Sequence, residues 1–145
     1  MPEVLNLDSL TFARHSYALS SDEAGVSDIL RPLSEKGVAA AKALDEALAA
    51  AAPAPDIILV SDAARALETL KYLKLVRKND PEIRIVHELY DCSAGQLYNI
   101  ILDAQEGYKN MLVIGHNPAV SQLYSMLFGE YVGFAPATSR TLLLK

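Results

Sequence analysis

Residues 57–70 read IILVSDAARALETL, and the fold can be read outward from them. Ile57, Ile58, Leu59 and Val60 form a short, wholly apolar run with β-branched members, the pattern of a strand buried on both faces. Directly after it, Ala66, Leu67, Leu70 and Leu73 recur at helical spacing. Parallel strands cannot be joined by a tight turn, so a buried strand feeding a helix is the repeating unit of a parallel sheet.

The unit recurs on both sides. Upstream, Val38, Ala41, Leu44 and Leu48 mark a helix with Ser34 as its N-cap, stopped by Pro53 and Pro55. The alanine-rich stretch from Leu44 to Pro55 ends this helix. A first strand fits Leu10 to Ala13. Downstream, Asn79-Asp80-Pro81 breaks the chain, and Ile83 to His87 reads as a strand. Leu97, Ile100, Ile101 and Ala104 mark a third helix, and Met111 to Ile114 a fully apolar strand. Asn117 and Pro118 fit an N-cap and first helical position for a fourth helix with Val120, Leu123, Tyr124 and Leu127 on its inner face. Thr141 to Leu144 fits a last strand. The expected fold is therefore α/β: a three-layer α/β/α sandwich with a mostly parallel central sheet covered on both faces, in one domain over residues 1–145 with no cap domain.

Composition narrows the function. The chain has 145 residues, of which 51% are hydrophobic and 21% charged, enough apolar material for one core and too many charges for a membrane protein. No apolar run approaches the length that spans a bilayer. The start, MPEVLNLDSL, has no basic segment followed by an apolar run and does not read as a signal peptide. Net charge is −5, and the 13 basic residues form no block, which argues against nucleic acid. The single cysteine, Cys92, can form neither an internal disulfide nor a cysteine-based zinc site, and a cytoplasmic location is expected. There is no Gly-x-Gly-x-x-Gly or Walker pattern to support a nucleotide-binding domain.

In sheets of this kind, ligands bind beyond the carboxyl ends of the strands. Arg14 and His15 follow the first strand; Ser61, and Arg65 a turn later, follow the second. His87 and Glu88 end the third, and Gly115-His116-Asn117 ends the fourth. Two arginines, at least two histidines and a carboxylate thus converge on one edge. Arginine forks match phosphoryl oxygens, a neutral imidazole is a nucleophile near neutral pH, and a carboxylic acid can protonate a leaving group. Each of these residues alone has a plain structural reading; their shared placement is what points to phosphoryl chemistry.

These residues also carry a resemblance. Leu10-Thr-Phe-Ala-Arg-His-Ser16, Asp28-Ile-Leu-Arg-Pro-Leu-Ser34 with Gly37, Ser61-Asp-Ala-Ala-Arg-Ala-Leu-Glu-Thr69, and Leu112 to Pro118 occur in this order. The chain resembles the histidine phosphatase superfamily, the phosphoglycerate-mutase-like group, and within it the short phosphohistidine phosphatases of the SixA type. The resemblance runs from about Leu10 to the end. It implies that His15 accepts the phosphoryl group and that Arg14, Arg65 and His116 hold its oxygens, with Ser16 and Asn117 beside them. It implies Glu88 as the proton donor, with Asp91, or no dedicated acid, as alternatives. No metal or cofactor is implied. The implied reaction removes a phosphoryl group from a phosphorylated protein or a small phosphate ester, with phosphohistidine as the leading substrate.

Two positions depart from the family pattern. Ser16 stands where the family has glycine, and would crowd the phosphate or add a hydrogen bond to it. Asp62 replaces a proline, and is expected to cap the helix that follows. Arg31 is expected to pair with Asp28 or a carbonyl. His87 is expected to pack or lie at the surface. Tyr90, Tyr98, Tyr108, Tyr124 and Tyr131 are expected at core edges and surface, and Cys92 is expected to be unreactive. Gly129 to Pro136 is expected either at the site's rim or as a contact surface. The segments from Ser16 to Asp28 and from Glu88 to Ser93 are too short to form a cap, so an open site is expected. The rival functions are a phosphomutase or small-molecule phosphomonoesterase, and a non-catalytic phosphate-binding module.

Overall fold

The computed structural model describes residues 4–145. Five strands form one sheet: β1 (Ser9–Arg14), β2 (Ile57–Val60), β3 (Glu82–Ile85), β4 (Asn110–Gly115) and β5 (Ser139–Leu143). Their spatial order is β3-β2-β4-β1-β5, with β1 to β4 mutually parallel and β5 antiparallel to β1. The helices are α1 (Ser21–Ala24), α2 (Glu35–Ala51), α3 (Ala64–Lys71), α4 (Ala94–Ala104) and α5 (Ala119–Phe128).

Strand alternation splits the core in two. Leu10, Phe12, Ile57, Leu59, Met111 and Val113 face α4 and α5, meeting Leu97, Ile101, Val120 and Leu123. Ala13, Ile58, Val60, Leu112 and Ile114 face α2 and α3, meeting Leu44, Leu48, Ala66 and Leu70. The three-layer α/β/α architecture expected from the sequence is present, with a mostly parallel sheet and, among the described residues, no separate cap domain.

Three local expectations are corrected. The strand expected over Ile83 to His87 stops at Ile85, and His87–Leu89 is a short 3-10 turn anchored by buried Leu89. This strand is also not covered on both faces. Ile83 and Ile85 lie in register with Ile58 and Val60 on this edge strand, and are 40% and 60% exposed. Asn117 does not cap α5: Pro118 is the capping residue, and the Asn117 side chain bonds elsewhere, as described below. Ser34 does cap α2, accepting from the Gly37 amide at 3.0 Å.

Gly37 decides how α2 meets the chain that follows His15. A Cβ at Gly37 would lie 1.9 Å from the Tyr17 carbonyl oxygen, a backbone atom with no side-chain freedom to yield. Helix propensity alone would favour alanine here by about 1 kcal/mol. The clash opposes it at roughly 1–3 kcal/mol or more. Gly37→Ala is therefore expected to lower stability in urea unfolding; a gain in stability would show that this close approach is relaxed in solution.

Candidate active site

The site begins with a register. Arg14 pairs with Gly115 across the parallel strands β1 and β4. The His15 amide then bonds the Gly115 carbonyl at 3.1 Å, so the next residue of each strand, His15 and His116, leaves the sheet side by side. Their rings lie 4.9 Å apart between centroids.

Each ring is fixed by one bond. His15 Nδ1 meets the Ser16 carbonyl at 2.7 Å. A carbonyl only accepts, so Nδ1 carries the proton and the lone pair is on Nε2. His116 Nε2 meets Ser61 Oγ at 2.8 Å, and Ser61 Oγ also accepts from the Ala63 amide at the start of α3. Burial, assisted by the charges of Arg65, Arg14 and Arg31, holds His15 down at about 4. Burial, then the neighbouring His15 and Arg65, holds His116 down at about 3. Both imidazoles are neutral at physiological pH.

Three arginines surround them. Arg14 is braced by the Phe134 carbonyl, which accepts from its Nη1 at 3.0 Å. Arg65, on the first turn of α3, is buried and bonds Asp28 twice, through Nη1 to the carbonyl oxygen and Nη2 to the carboxylate. Arg31 bonds the other Asp28 oxygen at 2.9 Å and the Leu19 carbonyl at 2.7 Å, as the sequence led us to expect. The Tyr90 hydroxyl donates to Asp28 as well. Together, Arg14, His15, Arg31, Arg65 and His116 line an open cavity of about 360 Å³, with Asp28, Tyr90, Asp91 and Asn117 completing its wall. A second, mostly apolar cavity of about 240 Å³ lies at the amino ends of the strands, and its one charged lining residue is Lys78. Among the described residues, no group of three or more His, Cys, Asp or Glu side chains is placed to hold a metal ion.

Of the residues singled out in the sequence, Arg14, His15, Arg65, His116 and Asn117 are brought together. Ser16 and Glu88 are not. The Ser16 hydroxyl donates to the Gly37 carbonyl at 2.7 Å, and its amide donates to Thr69. Ser16 is fully buried on the α2 side, and neither crowds the cavity nor bonds into it. Glu88 lies in the 3-10 turn, which carries it into an adjoining groove of about 450 Å³ with His87, Gln96 and Asn99. Asp91 lines both that groove and the cavity of the histidines. Asn117 touches the cavity, but its Nδ2 donates to the Phe134 carbonyl and its Oδ1 accepts from Ser121. It therefore shares with Arg14 the Phe134 carbonyl, which steadies both side chains and is the contact of the 129–136 segment with this site. Asp62 does not cap α3. It pairs with His87 Nδ1 at 2.6 Å, while Ser61 takes the amide at the helix start. Asp28 and Tyr90 were missed as functional candidates. The Asp28-x-x-Arg31 spacing was a usable signal for one of them; nothing near Tyr90 was.

The profile of the histidine phosphatase superfamily (branch 1) matches residues 10–132. The chain belongs to this superfamily. An uncharacterised protein of Mycobacterium tuberculosis is 32% identical over 114 residues, covering 79% of this chain and 68% of its own. The fold is shared with a protein of Agrobacterium tumefaciens described as a candidate phosphohistidine phosphatase SixA (24% identity, 97% of each chain, TM-score 0.84). It is also shared with a similarly described protein from Nakamurella (27% identity, 92% of this chain and 83% of that one, TM-score 0.77). A protein histidine phosphatase SixA complexed with tungstate matches at 23% identity over 92% and 86% of the two chains, with a TM-score of 0.76. Family and fold together support a phosphatase.

The depressed histidines have a consequence for stability. Between about 4 and the ordinary histidine range near 6.5, the unfolded chain binds protons that the folded chain refuses. Their contribution is full above that range and is lost as pH falls through it. Wild-type protein should lose more unfolding free energy between pH 7.5 and 5.0 than a His15→Ala, His116→Ala double variant. Equal losses would contradict the burial argument.

Proposed function

We propose that this protein hydrolyses phosphohistidine on a protein, without a metal ion, through a phosphoryl group carried transiently on His15. The observation that carries this reading is the state of His15. It is neutral, its Nδ1 proton is engaged by the Ser16 carbonyl, and it sits among three guanidiniums. A neutral imidazole with one free nitrogen in an anion-binding cavity is an activated nucleophile with its target pre-positioned.

In the first step, His15 Nε2 forms a bond to phosphorus as the bond to the leaving nitrogen breaks. The equatorial oxygens gain charge, and the arginines and His116 stabilise it. For His116 to donate from Nδ1 to a phosphoryl oxygen, its Nε2 accepts from Ser61 Oγ, whose own acceptor side is engaged by the Ala63 amide. The leaving group takes a proton from Asp91, which reaches this cavity where Glu88 does not. In the second step, the Asp91 carboxylate takes a proton from water as the water oxygen bonds to phosphorus and the Nε2–phosphorus bond breaks, so inorganic phosphate departs and both His15 and Asp91 are restored. Among the described residues no domain covers the cavity, which suits a phosphorylated side chain on another protein.

A small phosphomonoester is the second reading, and Asp91 favours it. An alkoxide leaving group needs an acid far more than an imidazole does, since ester hydrolysis calls for acceleration of up to ~10²¹-fold.

Kinetics separate these assignments. His116→Ala should lower kcat by about 10²–10³-fold, as loss of a transition-state donor does. Asp91→Asn should slow aryl phosphates increasingly as the leaving phenol becomes more basic, and Glu88→Gln should show no such trend. Phosphohistidine should be cleaved faster than any phosphomonoester at equal concentration. A preference for esters, with Asp91→Asn slowing them, would establish the second reading; no turnover of either class would leave a phosphate-binding module.

A further inference from the structure

The anion within the cationic cluster is a residue of the chain itself. Asp28 opens the short turn Asp28–Leu30, in the segment that follows His15. One carboxylate oxygen accepts from Arg31 Nη1 at 2.9 Å. The other accepts from Arg65 Nη2 at 3.2 Å and from the Tyr90 hydroxyl. The backbone carbonyl of the same residue accepts from Arg65 Nη1 at 2.8 Å. Both terminal nitrogens of Arg65 are thus gripped by one residue. Each terminal nitrogen carries two protons, so each keeps one for another acceptor, and Nε keeps its own.

Asp28 bonds neither Arg14, His15 nor His116. It braces the arginines from one side and leaves the space beside His15 open. Among the described residues, it is the only carboxylate in a salt bridge with an arginine of this cavity. Without it, the guanidiniums of Arg65 and Arg31 face each other uncompensated. The brace is not a core contact, because the Asp28 side chain is 51% exposed while that of Arg65 is 9% exposed. Tyr90 closes the arrangement from the far side of the cavity. Its ring meets His116 edge-on at 5.7 Å and lies 5.8 Å from the Arg65 guanidinium.

We propose that Asp28, steadied by Tyr90, is the positioning residue that holds Arg65 and Arg31 together against their mutual repulsion, and so makes Arg31 a third cation for the phosphoryl group. This rests on reading the cavity as a phosphoryl site. An asparagine at position 28 keeps the backbone carbonyl for Arg65, but it offers a single uncharged side-chain oxygen and turns an amide toward one guanidinium. It neither bridges the two arginines through its side chain nor offsets their charge.

The test uses the full chain, with inorganic phosphate binding followed by calorimetry and aryl phosphate hydrolysis followed in parallel. Asp28→Asn should weaken phosphate binding by about tenfold and raise KM while lowering kcat, with a cooperative thermal transition retained. Asp28→Glu should recover part of the affinity. Tyr90→Phe, which removes one neutral donor, should weaken binding by about threefold. Unchanged or tighter phosphate binding by folded Asp28→Asn overturns the proposal, because a carboxylate that merely competed with phosphate would give that result. If Asp28→Asn does not fold, unchanged affinity in Tyr90→Phe overturns it. Wild-type protein that binds phosphate but turns nothing over contradicts the phosphatase reading alone, and the affinities still decide the role of Asp28.

Discussion

The pairing of β1 with β4 is the constraint on which the rest depends. Because the two strands are parallel and in register, they end together, and Arg14 stands opposite Gly115. The backbone bond from His15 to the Gly115 carbonyl then delivers two imidazoles from distant parts of the chain to one spot. A slip of one residue would exchange the two faces of β1. Phe12 fills the half of the core beneath α4 and α5 and Ala13 the half beneath α2 and α3, so the exchange would mismatch side-chain volume in both halves, and the packing that stabilises the sheet also sets where His15 emerges.

Electrostatics then divide the labour. Three guanidiniums in one small cavity would repel one another, and two protonated imidazoles would add to that. Burial and the arginines keep both histidines uncharged, so the cavity combines fixed positive charge with neutral imidazoles, the state that the proposed role of His15 requires. Asp28 offsets part of the cationic field where its carboxylate does not bond to the histidines. The carbonyl oxygens of Phe134, Leu19 and Ser16 do further positioning without adding charge of their own.

The strand-helix alternation was legible from Ile57 to Leu70 because buried parallel strands are written as unbroken apolar runs. Arg14, His15, Arg65 and His116 were legible for a related reason: their place at the site follows from being one or a few residues past such runs. What failed depended on local turns or on contacts across the sequence. The 3-10 turn at His87–Leu89 swings Glu88 aside, and no periodicity announces a turn of three residues. Ser16 looked like a phosphate neighbour by adjacency to His15, yet its hydroxyl is claimed by Gly37, 21 residues away. Asp62 looked like a cap, but His87 lay within reach only once β2 and β3 were paired. Tyr90 reaches Asp28 across 62 residues, a contact that only the folded chain defines.

The central claim is that His15 carries the phosphoryl group, and trapping it is the most direct test. The protein would be mixed with an aryl phosphate, quenched within milliseconds in alkali, which preserves a phosphorus–nitrogen bond, and digested for peptide mass mapping. The account predicts a phosphoryl group on the His15 peptide that is absent in His15→Ala. Turnover by the wild-type protein with the label on another residue, or undiminished turnover by His15→Ala, would contradict it.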